Sequence, residues 1–184
     1  MPLQKITKIE LLRNSIRVFR KKGYYRTNMS DLAKESGLTK GAFYHHFSNK
    51  ADVMLKSLEG TTALFQERVF SIAYQPELSS EEKLEIMGKK IFKAFTVEEG
   101  GCFFANTILE TIQVEDTFKA AILEFFELWR AAFLHIFEQH HSPEKATDIT
   151  QQIMSDIEGS IVFMQLYQDS KLLHQAIQRA LNQL

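Results

Sequence analysis

The 184-residue chain contains one cysteine, three prolines and eight glycines. A single cysteine excludes an internal disulfide, which is typical of proteins from a reducing compartment, so we expect a cytoplasmic protein. The low proline and glycine content and the lack of alternating β-branched runs favour helices. No apolar run reaches the roughly 18 residues that a membrane-spanning helix needs, and the first residues lack a signal-peptide pattern. We therefore expect no membrane association.

The chain also lacks the short motifs that carry common enzyme chemistry. It has no Gly-rich phosphate loop, no nucleophile elbow and no H-E-x-x-H zinc motif. His135, His140 and His141 lie on or near a predicted helix at spacings that do not bring their rings together on one metal ion. We therefore expect neither an enzyme nor a metal site, and no cofactor.

Charge is distributed unevenly along the chain. Residues 1–58 hold 12 Lys and Arg against 4 Asp and Glu, a net charge of +8, although the whole chain sums to −1. The remaining residues hold 10 basic and 19 acidic side chains, a net charge of −9. This asymmetry predicts a nucleic-acid-binding surface in the N-terminal part alone, and a solvated basic helix face is the alternative interpretation.

The basic part contains a candidate helix-turn-helix between Thr27 and Lys50. Asn28 is placed to cap a short helix, with Asp31 completing a capping box, and Gly37 is placed to end that helix. Thr39 is placed to cap a second helix over residues 40–47. Two short helices joined by a glycine-containing turn are typical of DNA-binding modules, although ordinary helical bundles contain them too.

The second of these helices has an unusual distribution of side chains. Phe43 and Phe47 are four residues apart and are predicted to anchor the helix in the core. Tyr44, His45 and His46 remain for the outer face, while Gly41 and Ala42 leave the backbone accessible at its start. The N-terminal residues of a recognition helix contact base edges in the major groove. The pattern therefore predicts a DNA-reading helix.

The remaining two thirds of the chain predict further helices, so the expected fold is all-α. An N-terminal three-helix DNA-binding domain is expected over residues 1–50, and a helical ligand-binding and dimerisation domain over residues 51–184. The two long helices near residues 116–140 and 143–167 carry more apolar residues than one buried stripe needs, which indicates either a second subunit or a central position in a larger core. We favour a homodimer, with this interface: Phe126, Trp129, Ile153, Ile157, Gly159, Ile161 and Met164.

Aromatic residues concentrate in the C-terminal part, where a ligand pocket is expected. A pocket needs apolar walls and a few convergent polar groups. The candidate ligand-binding residues are Phe92, Phe95, Cys102, Phe103, Asn106, Glu110, Trp129, Phe133 and Phe163. A purely structural role for the phenylalanines, and a solvated or ion-paired Glu110, are the alternatives.

The segment from Gly23 to Leu58, and above all its GLTKGAFYHHFSNKADV run, resembles the signature of the TetR family of bacterial regulators. The resemblance implies an Ω-shaped homodimer with about nine helices per subunit. It also implies a ligand-binding C-terminal domain and repression that a small molecule relieves. From the aromatic content of the C-terminal part we expect this molecule to be lipophilic or aromatic. Because operators commonly mirror the two-fold symmetry of a dimer, we expect a palindromic double-stranded DNA operator. By position it assigns DNA contacts to Thr27, Thr39, Lys40, Gly41, Ala42, Tyr44, His45 and Lys50.

Two alternatives to a ligand-released repressor remain open at this point. One is a transcriptional activator. The other rests on the GGCFFANTILE stretch from Gly100 to Glu110, which resembles a segment in a subgroup that includes sensors of reactive electrophiles. Cys102 would be the reactive thiol of such an electrophile- or redox-sensing regulator, although a free cysteine is most often a small buried hydrophobe.

Overall fold

The computed structural model describes residues 6–97 and 100–184, and in this part of the chain helices joined by turns are the regular secondary structure, with no strand. One 3₁₀ helix, Phe70–Tyr74, accompanies the α-helices. In chain order the helices are α1 Lys8–Lys22, α2 Met29–Glu35, α3 Lys40–Tyr44, α4 Lys50–Arg68, α5 Ser80–Thr96, α6 Phe103–Thr111, α7 Lys119–Phe137, α8 Pro143–Tyr167 and α9 Lys171–Leu181. The all-α prediction is confirmed.

The chain forms two compact units, and their boundaries differ from the expected division at residue 50. Unit 1 comprises residues up to 61 together with residues 103–122, and unit 2 comprises residues 62–102 and 123–184. The first turns of α4 belong to unit 1 because Val53, Met54 and Leu58 are at most 1% exposed within it. Helix α6 also belongs to unit 1, where the hydroxyl of Thr107 lies 3.9 Å from the sulfur of Met54.

Helix α1 packs against the unit 1 core with a set of residues that does not include all of its apolar side chains. Ile9 is 71% exposed, whereas Leu11, Ser15, Val18 and Phe19 are buried. The serine is accommodated because its hydroxyl donates a hydrogen bond of 2.8 Å to the carbonyl of Leu11. Ser15 can therefore occupy a core position, because its hydroxyl group is hydrogen-bonded within its own helix.

Unit 2 is built around α5, α7, α8 and α9. Helix α8 directs Ile149, Ile153, Ile157 and Ile161 into this core, and each is at most 6% exposed. Gly88 of α5 permits a close approach to α9, since a Cβ atom there would lie 2.5 Å from Cγ2 of Ile177. Within the described ranges, no helix has the length and apolar character needed to cross a membrane.

Candidate DNA-binding surface

The helix-turn-helix forms as the local sequence signals predict. The side chain of Asn28 accepts hydrogen bonds from the backbone N–H groups of Ser30 (2.9 Å) and Asp31 (3.0 Å), and the Asp31 carboxylate accepts one from the N–H of Asn28 (3.0 Å). Gly37 has a φ of 66°, a left-handed conformation that glycine adopts without steric cost. Thr39 then caps α3 by accepting from the N–H of Ala42 at 3.2 Å.

Two phenylalanines fix α3 in unit 1. Phe43 is fully buried and Phe47 is 1% exposed, and their ring centroids lie 5.0 Å apart. Helix α3 itself ends at Tyr44, three residues before the expected end, and a turn carries Phe47 into the core. The aromatic anchors therefore determine which face of this short helix remains outside.

The outer face of α3 carries most of the predicted DNA-contacting residues. Lys40, Gly41, Tyr44 and His45 are exposed, and Ala42 is half-buried. An added Cβ at Gly41 would meet no atom within 4 Å, so the backbone here is open to a close approach from outside. A lysine, a phenol and an imidazole around a bare backbone are suited to a major groove and its flanking phosphates.

Two other residues that were predicted to contact DNA form hydrogen bonds inside unit 1. Thr27 is 2% exposed, and its hydroxyl donates a 2.6 Å hydrogen bond to the carbonyl of Gly23. Lys50 donates at 2.8 Å to the carbonyl of Tyr24 and lies 4.2 Å above the centre of that ring. Burial lowers the pKa of Lys50, while the negative charges of Glu115 and Glu110 raise it. Both side chains hold the turn between α1 and α2.

Two acidic residues complete this turn through contacts that sequence reasoning did not predict, although it named Glu110 as a candidate ligand-binding residue. The Glu110 carboxylate accepts a 2.8 Å hydrogen bond from the backbone N–H of Tyr24, 86 residues earlier in the chain. The hydroxyl of Tyr25 donates to Glu115 at 3.3 Å, and Phe118 meets the Tyr24 ring edge-on at 4.9 Å. Burial, together with the charge of Glu115, raises the pKa of Tyr24 to about 12. No local sequence signal indicates contacts over such a separation.

The expected ligand-binding residues do not all belong to one unit. Phe103, Asn106 and Glu110 lie on α6 in unit 1, where Phe103 is buried and Glu110 is engaged with the α1–α2 turn. The other six lie in unit 2. Phe163 is 46% exposed and stacks on Tyr167 with ring centroids 5.9 Å apart, so it lies on the outer surface of α8.

Within unit 2 the aromatic side chains of α7 form a continuous row of rings, which we call the α7 aromatic row: Phe125, Trp129 and Phe133. Successive ring centroids along it are 6.0 and 6.3 Å apart. Phe65 of α4 meets Phe125 edge-on at 5.3 Å and also contacts Phe95 of α5 at 6.4 Å. Phe92 contacts the ring of His174 at 6.1 Å. An apolar cavity beside Phe133 is lined also by Ile157 and Ile177.

Cys102 lies in unit 2 and is shielded from solvent. It is 2% exposed, and its side chain is hydrogen-bonded to the carboxyl group of Glu158. Burial raises the pKa of Glu158 to about 7, and the bond from Cys102 opposes that rise. A buried thiol beside an acidic group ionises less readily than one beside a cation. Sequence reasoning did not identify Glu158.

The three histidines considered for metal binding have separate neighbours. The His135 ring lies 4.7 Å from that of Tyr74. Nε2 of His140 is 2.8 Å from the Ser80 hydroxyl, and Nε2 of His141 is 2.6 Å from the carbonyl of Gln183. Among residues 6–97 and 100–184, no group of three or more His, Cys, Asp or Glu side chains is arranged to hold a metal ion.

The residues expected at a dimer interface are mostly used by the subunit core. Trp129, Ile153, Ile157, Ile161 and Met164 are at most 7% exposed within unit 2, so they are not available to a second copy. Phe126 and Gly159 are half-buried. A different set of apolar side chains on α8 faces outward, with exposed fractions between 46% and 68%, and we call it the outer α8 face: Val162, Phe163, Leu166 and Tyr167.

Comparison with known proteins agrees with these features. Residues 11–56 match the family model described as bacterial regulatory proteins of the tetR family. Residues 82–179 match the C-terminal domain model of LmrA/YxaF-like transcriptional regulators. An uncharacterized HTH-type transcriptional regulator, YxaF of Bacillus subtilis, is 25% identical over 156 residues, which cover 83% of this chain and 82% of that protein.

Solved structures show the same fold. A TetR transcriptional regulator from Legionella pneumophila superposes with a TM-score of 0.86 at 20% identity, covering 98% of this chain and 97% of its own. The regulator FadR from Bacillus subtilis, solved with stearoyl-CoA, gives a TM-score of 0.75 at 18% identity and covers 96% of each chain. Taken with the exposed face of α3, the two family matches establish that this chain belongs to the TetR family of DNA-binding transcriptional regulators.

Proposed function

We propose that this regulator is a repressor that binds a palindromic operator as a homodimer in the cytoplasm and leaves it when a small molecule binds unit 2. The observation that carries the DNA-binding part is the outer face of α3. Its two phenylalanines are buried, and Lys40, Tyr44 and His45 are exposed around a bare Gly41 backbone. Helix α3 is therefore held in place by its buried phenylalanines, and the side chains that we assign to DNA contacts point outward.

Two copies of α3 are needed to read a two-fold operator. Their separation must be roughly 34–36 Å, one turn of DNA, so that both enter successive major grooves. The outer α8 face supplies the surface that we assign to the second copy. Its four side chains form an apolar patch that water would otherwise cover, and burying such a patch against an identical one is favourable.

Control by a small molecule is supported by the composition of unit 2. The α7 aromatic row offers apolar contact area, and FadR, a structural neighbour with the same fold, was solved with stearoyl-CoA. Helix α4 contributes residues to both units, so a change in its position is the proposed link between ligand and DNA. Moving a population from 1:99 to 99:1 takes roughly 5.5 kcal/mol of differential affinity.

A gel shift on DNA flanking the coding region tests the DNA-binding face. Tyr44→Ala should weaken binding to the operator and reduce discrimination against unrelated DNA. Tyr74→Ala is the matched control, because Tyr74 is 47% exposed against 45% for Tyr44 and lies in unit 2. A dimer that releases counterions from about 8 phosphates should show a log–log salt slope near −7. Equal affinities for the two variants would contradict the assignment of α3.

The oligomeric state tests the outer α8 face separately. Leu166→Glu should convert the dimer into monomers in sedimentation experiments, because it places a charge in an apolar contact. Leu109→Glu is the matched control, since Leu109 is 77% exposed and lies on α6 in unit 1. A reporter gene behind the operator then distinguishes repression from activation. A dimer that survives Leu166→Glu would place the interface elsewhere.

The electrophile-sensing alternative gains no support from the position of Cys102. A sensing thiol needs access and a cationic neighbour, whereas this one is buried beside Glu158. Its role here is a polar contact to a buried carboxyl group. The small-molecule regulator therefore remains the function that the site supports best.

A further inference from the structure

Both backbone polar groups of Tyr24 are bonded to charged side chains from other helices. Its N–H donates to the Glu110 carboxylate of α6 at 2.8 Å, and its carbonyl accepts from the Lys50 ammonium group of α4 at 2.8 Å. Phe118 contacts the Tyr24 ring edge-on at 4.9 Å. We call these three partners the Tyr24 clamp: Glu110, Lys50 and Phe118. Hydrogen bonds to ionised groups are stronger than neutral ones, so the clamp fixes the Tyr24 backbone from two sides.

The clamp lies entirely within unit 1, although its members come from distant parts of the chain. Lys50 belongs to the N-terminal segment of the unit, whereas Glu110 and Phe118 belong to residues 103–122. Helix α6, which carries Glu110, also packs against α1. The turn between α1 and α2 is therefore held by a helix that is not itself part of the helix-turn-helix.

Gly23 allows the Glu110 carboxylate to approach the turn closely. A Cβ atom at this position would lie 2.5 Å from Oε1 and 2.7 Å from Oε2 of Glu110. The carboxylate therefore occupies the space that a side chain would need. The turn and α6 fit each other in shape as well as in hydrogen bonding, which distinguishes this contact from an incidental surface bond.

The turn that the clamp fixes leads directly into the helix-turn-helix. The hydroxyl of Thr27 donates to the carbonyl of Gly23 at 2.6 Å, and the N–H of Thr27 donates to the carbonyl of Tyr24 at 3.3 Å. The next residue, Asn28, caps α2, and α2 packs against α3. A displacement of Tyr24 therefore moves the start of α2 and, with it, the outer face of α3.

The two components of DNA binding respond differently to such a displacement. Contacts to base edges need side chains held within about 0.5 Å of the productive geometry. Attraction to phosphates acts over a Debye length of roughly 8–10 Å and tolerates a small shift. A loosened turn should therefore weaken binding to a specific sequence and leave binding to unrelated DNA almost unchanged.

We propose that Glu110 is a positioning residue for DNA reading, which holds the α1–α2 turn from α6 and thereby sets the position of α3 on the operator. Glu110 acts through Tyr24 and does not contact the DNA. This inference goes beyond the proposed function, because it needs neither repression nor a small molecule. It assigns part of the sequence-specific affinity to a helix outside the helix-turn-helix.

Two variants of Glu110 separate its hydrogen bond from its charge. Glu110→Ala and Glu110→Gln remove the same negative charge, but only glutamine retains an oxygen that can accept from the N–H of Tyr24. Fluorescence anisotropy compares a duplex from the DNA flanking the coding region with an unrelated duplex of equal length. On the flanking duplex, Glu110→Ala should bind roughly tenfold more weakly than Glu110→Gln. On the unrelated duplex the two variants should bind alike.

Glu59 provides the matched control pair, because it is an exposed carboxylate of α4 in unit 1. Glu59→Ala and Glu59→Gln should bind each duplex with equal affinity. Hydrogen exchange of peptides that span the α1–α2 turn should be faster in Glu110→Ala than in Glu110→Gln, which reports the lost bond directly.

Two results would overturn the positioning role of Glu110. If Glu110→Ala and Glu110→Gln bind the flanking duplex equally while turn exchange differs, the bond stabilises the turn without positioning α3. If Glu110→Ala loses affinity for both duplexes in the same proportion, the loss reflects less folded protein and not a displaced reading helix. The expected result is a loss on the flanking duplex alone, restored by glutamine.

Discussion

Replacing Gly23 by alanine perturbs the turn that joins α1 to α2 in two ways. Gly23 has φ 77° and ψ 168°, a region that is essentially restricted to glycine, and strain there costs about 1–3 kcal/mol for other residues. An added Cβ would also lie 2.5 Å from Oε1 and 2.7 Å from Oε2 of Glu110. The carboxylate must then move and lose its 2.8 Å hydrogen bond from the N–H of Tyr24.

The magnitude follows from adding these two effects. Strain of about 2 kcal/mol and a partly buried, charge-assisted hydrogen bond of about 1 kcal/mol give a destabilisation of unit 1 near 3 kcal/mol. In a Glu110→Ala background the carboxylate is already absent, so Gly23→Ala should cost only the strain. The double-mutant cycle should therefore show a coupling of about 1 kcal/mol between the two positions.

Urea unfolding measures these values when each unit is followed separately. Hydrogen exchange of peptides from α1 and α2 reports unit 1, and Trp129 fluorescence reports unit 2 as an internal reference. Gly60→Ala is the control, because a Cβ there meets only Cδ1 of Leu12 at 3.7 Å and alanine is the better helix former. It should stabilise unit 1 by up to about 1 kcal/mol. A loss below 1 kcal/mol for Gly23→Ala, or an identical loss without Glu110, would refute the reasoning.

Three further predictions concern single side chains. Burial raises the pKa of Glu158 from its ordinary value of 4.5 to about 7. Between these two pH values the native state keeps a proton on Glu158 that the unfolded chain has lost, so unit 2 should lose about 1.4 kcal/mol of stability per pH unit as pH rises. Glu158→Gln should flatten this slope in urea titrations followed by Trp129 fluorescence. Asn28→Ala should cost about 1 kcal/mol of unit 1 stability in urea unfolding, through loss of the α2 cap. Lys40→Met should make the salt slope of DNA binding shallower by about 2, because each subunit loses one phosphate contact. Lys50→Met should instead lower the stability of unit 1 and leave the salt slope unchanged, because the ammonium group of Lys50 already donates to the carbonyl of Tyr24.

The helix-turn-helix could be predicted closely because its determinants are local. The caps at Asn28 and Thr39 act over two or three residues, and the Phe43–Phe47 pair acts over one helical turn. Interactions over such short separations are encoded in the order of the residues, so spacing alone reveals them. The same argument explains why the outer face of α3 was identified from the sequence.

Helices with apolar residues on two sides are a different case. In α8 the apolar pattern makes Ile161 and Val162 equally good candidates for burial in the subunit core, yet Ile161 is 2% exposed and Val162 is 62% exposed. Periodicity shows that two apolar stripes exist but not which one faces the subunit's own interior. For the same reason the apolar pattern of α1 does not show that Ile9 is 71% exposed while Ser15 is fully buried.

Local order along the chain was sufficient to specify the helix-turn-helix, its caps and the exposed outer face of α3, because these depend on neighbours within about four residues. The partners of Glu110 and the burial of Glu158 depend instead on folding. The first is joined to Tyr24 across 86 residues, and the second becomes a buried acid beside Cys102. Contacts at such separations arise only when the chain packs, since burial and proximity are properties of the folded core and not of residue order.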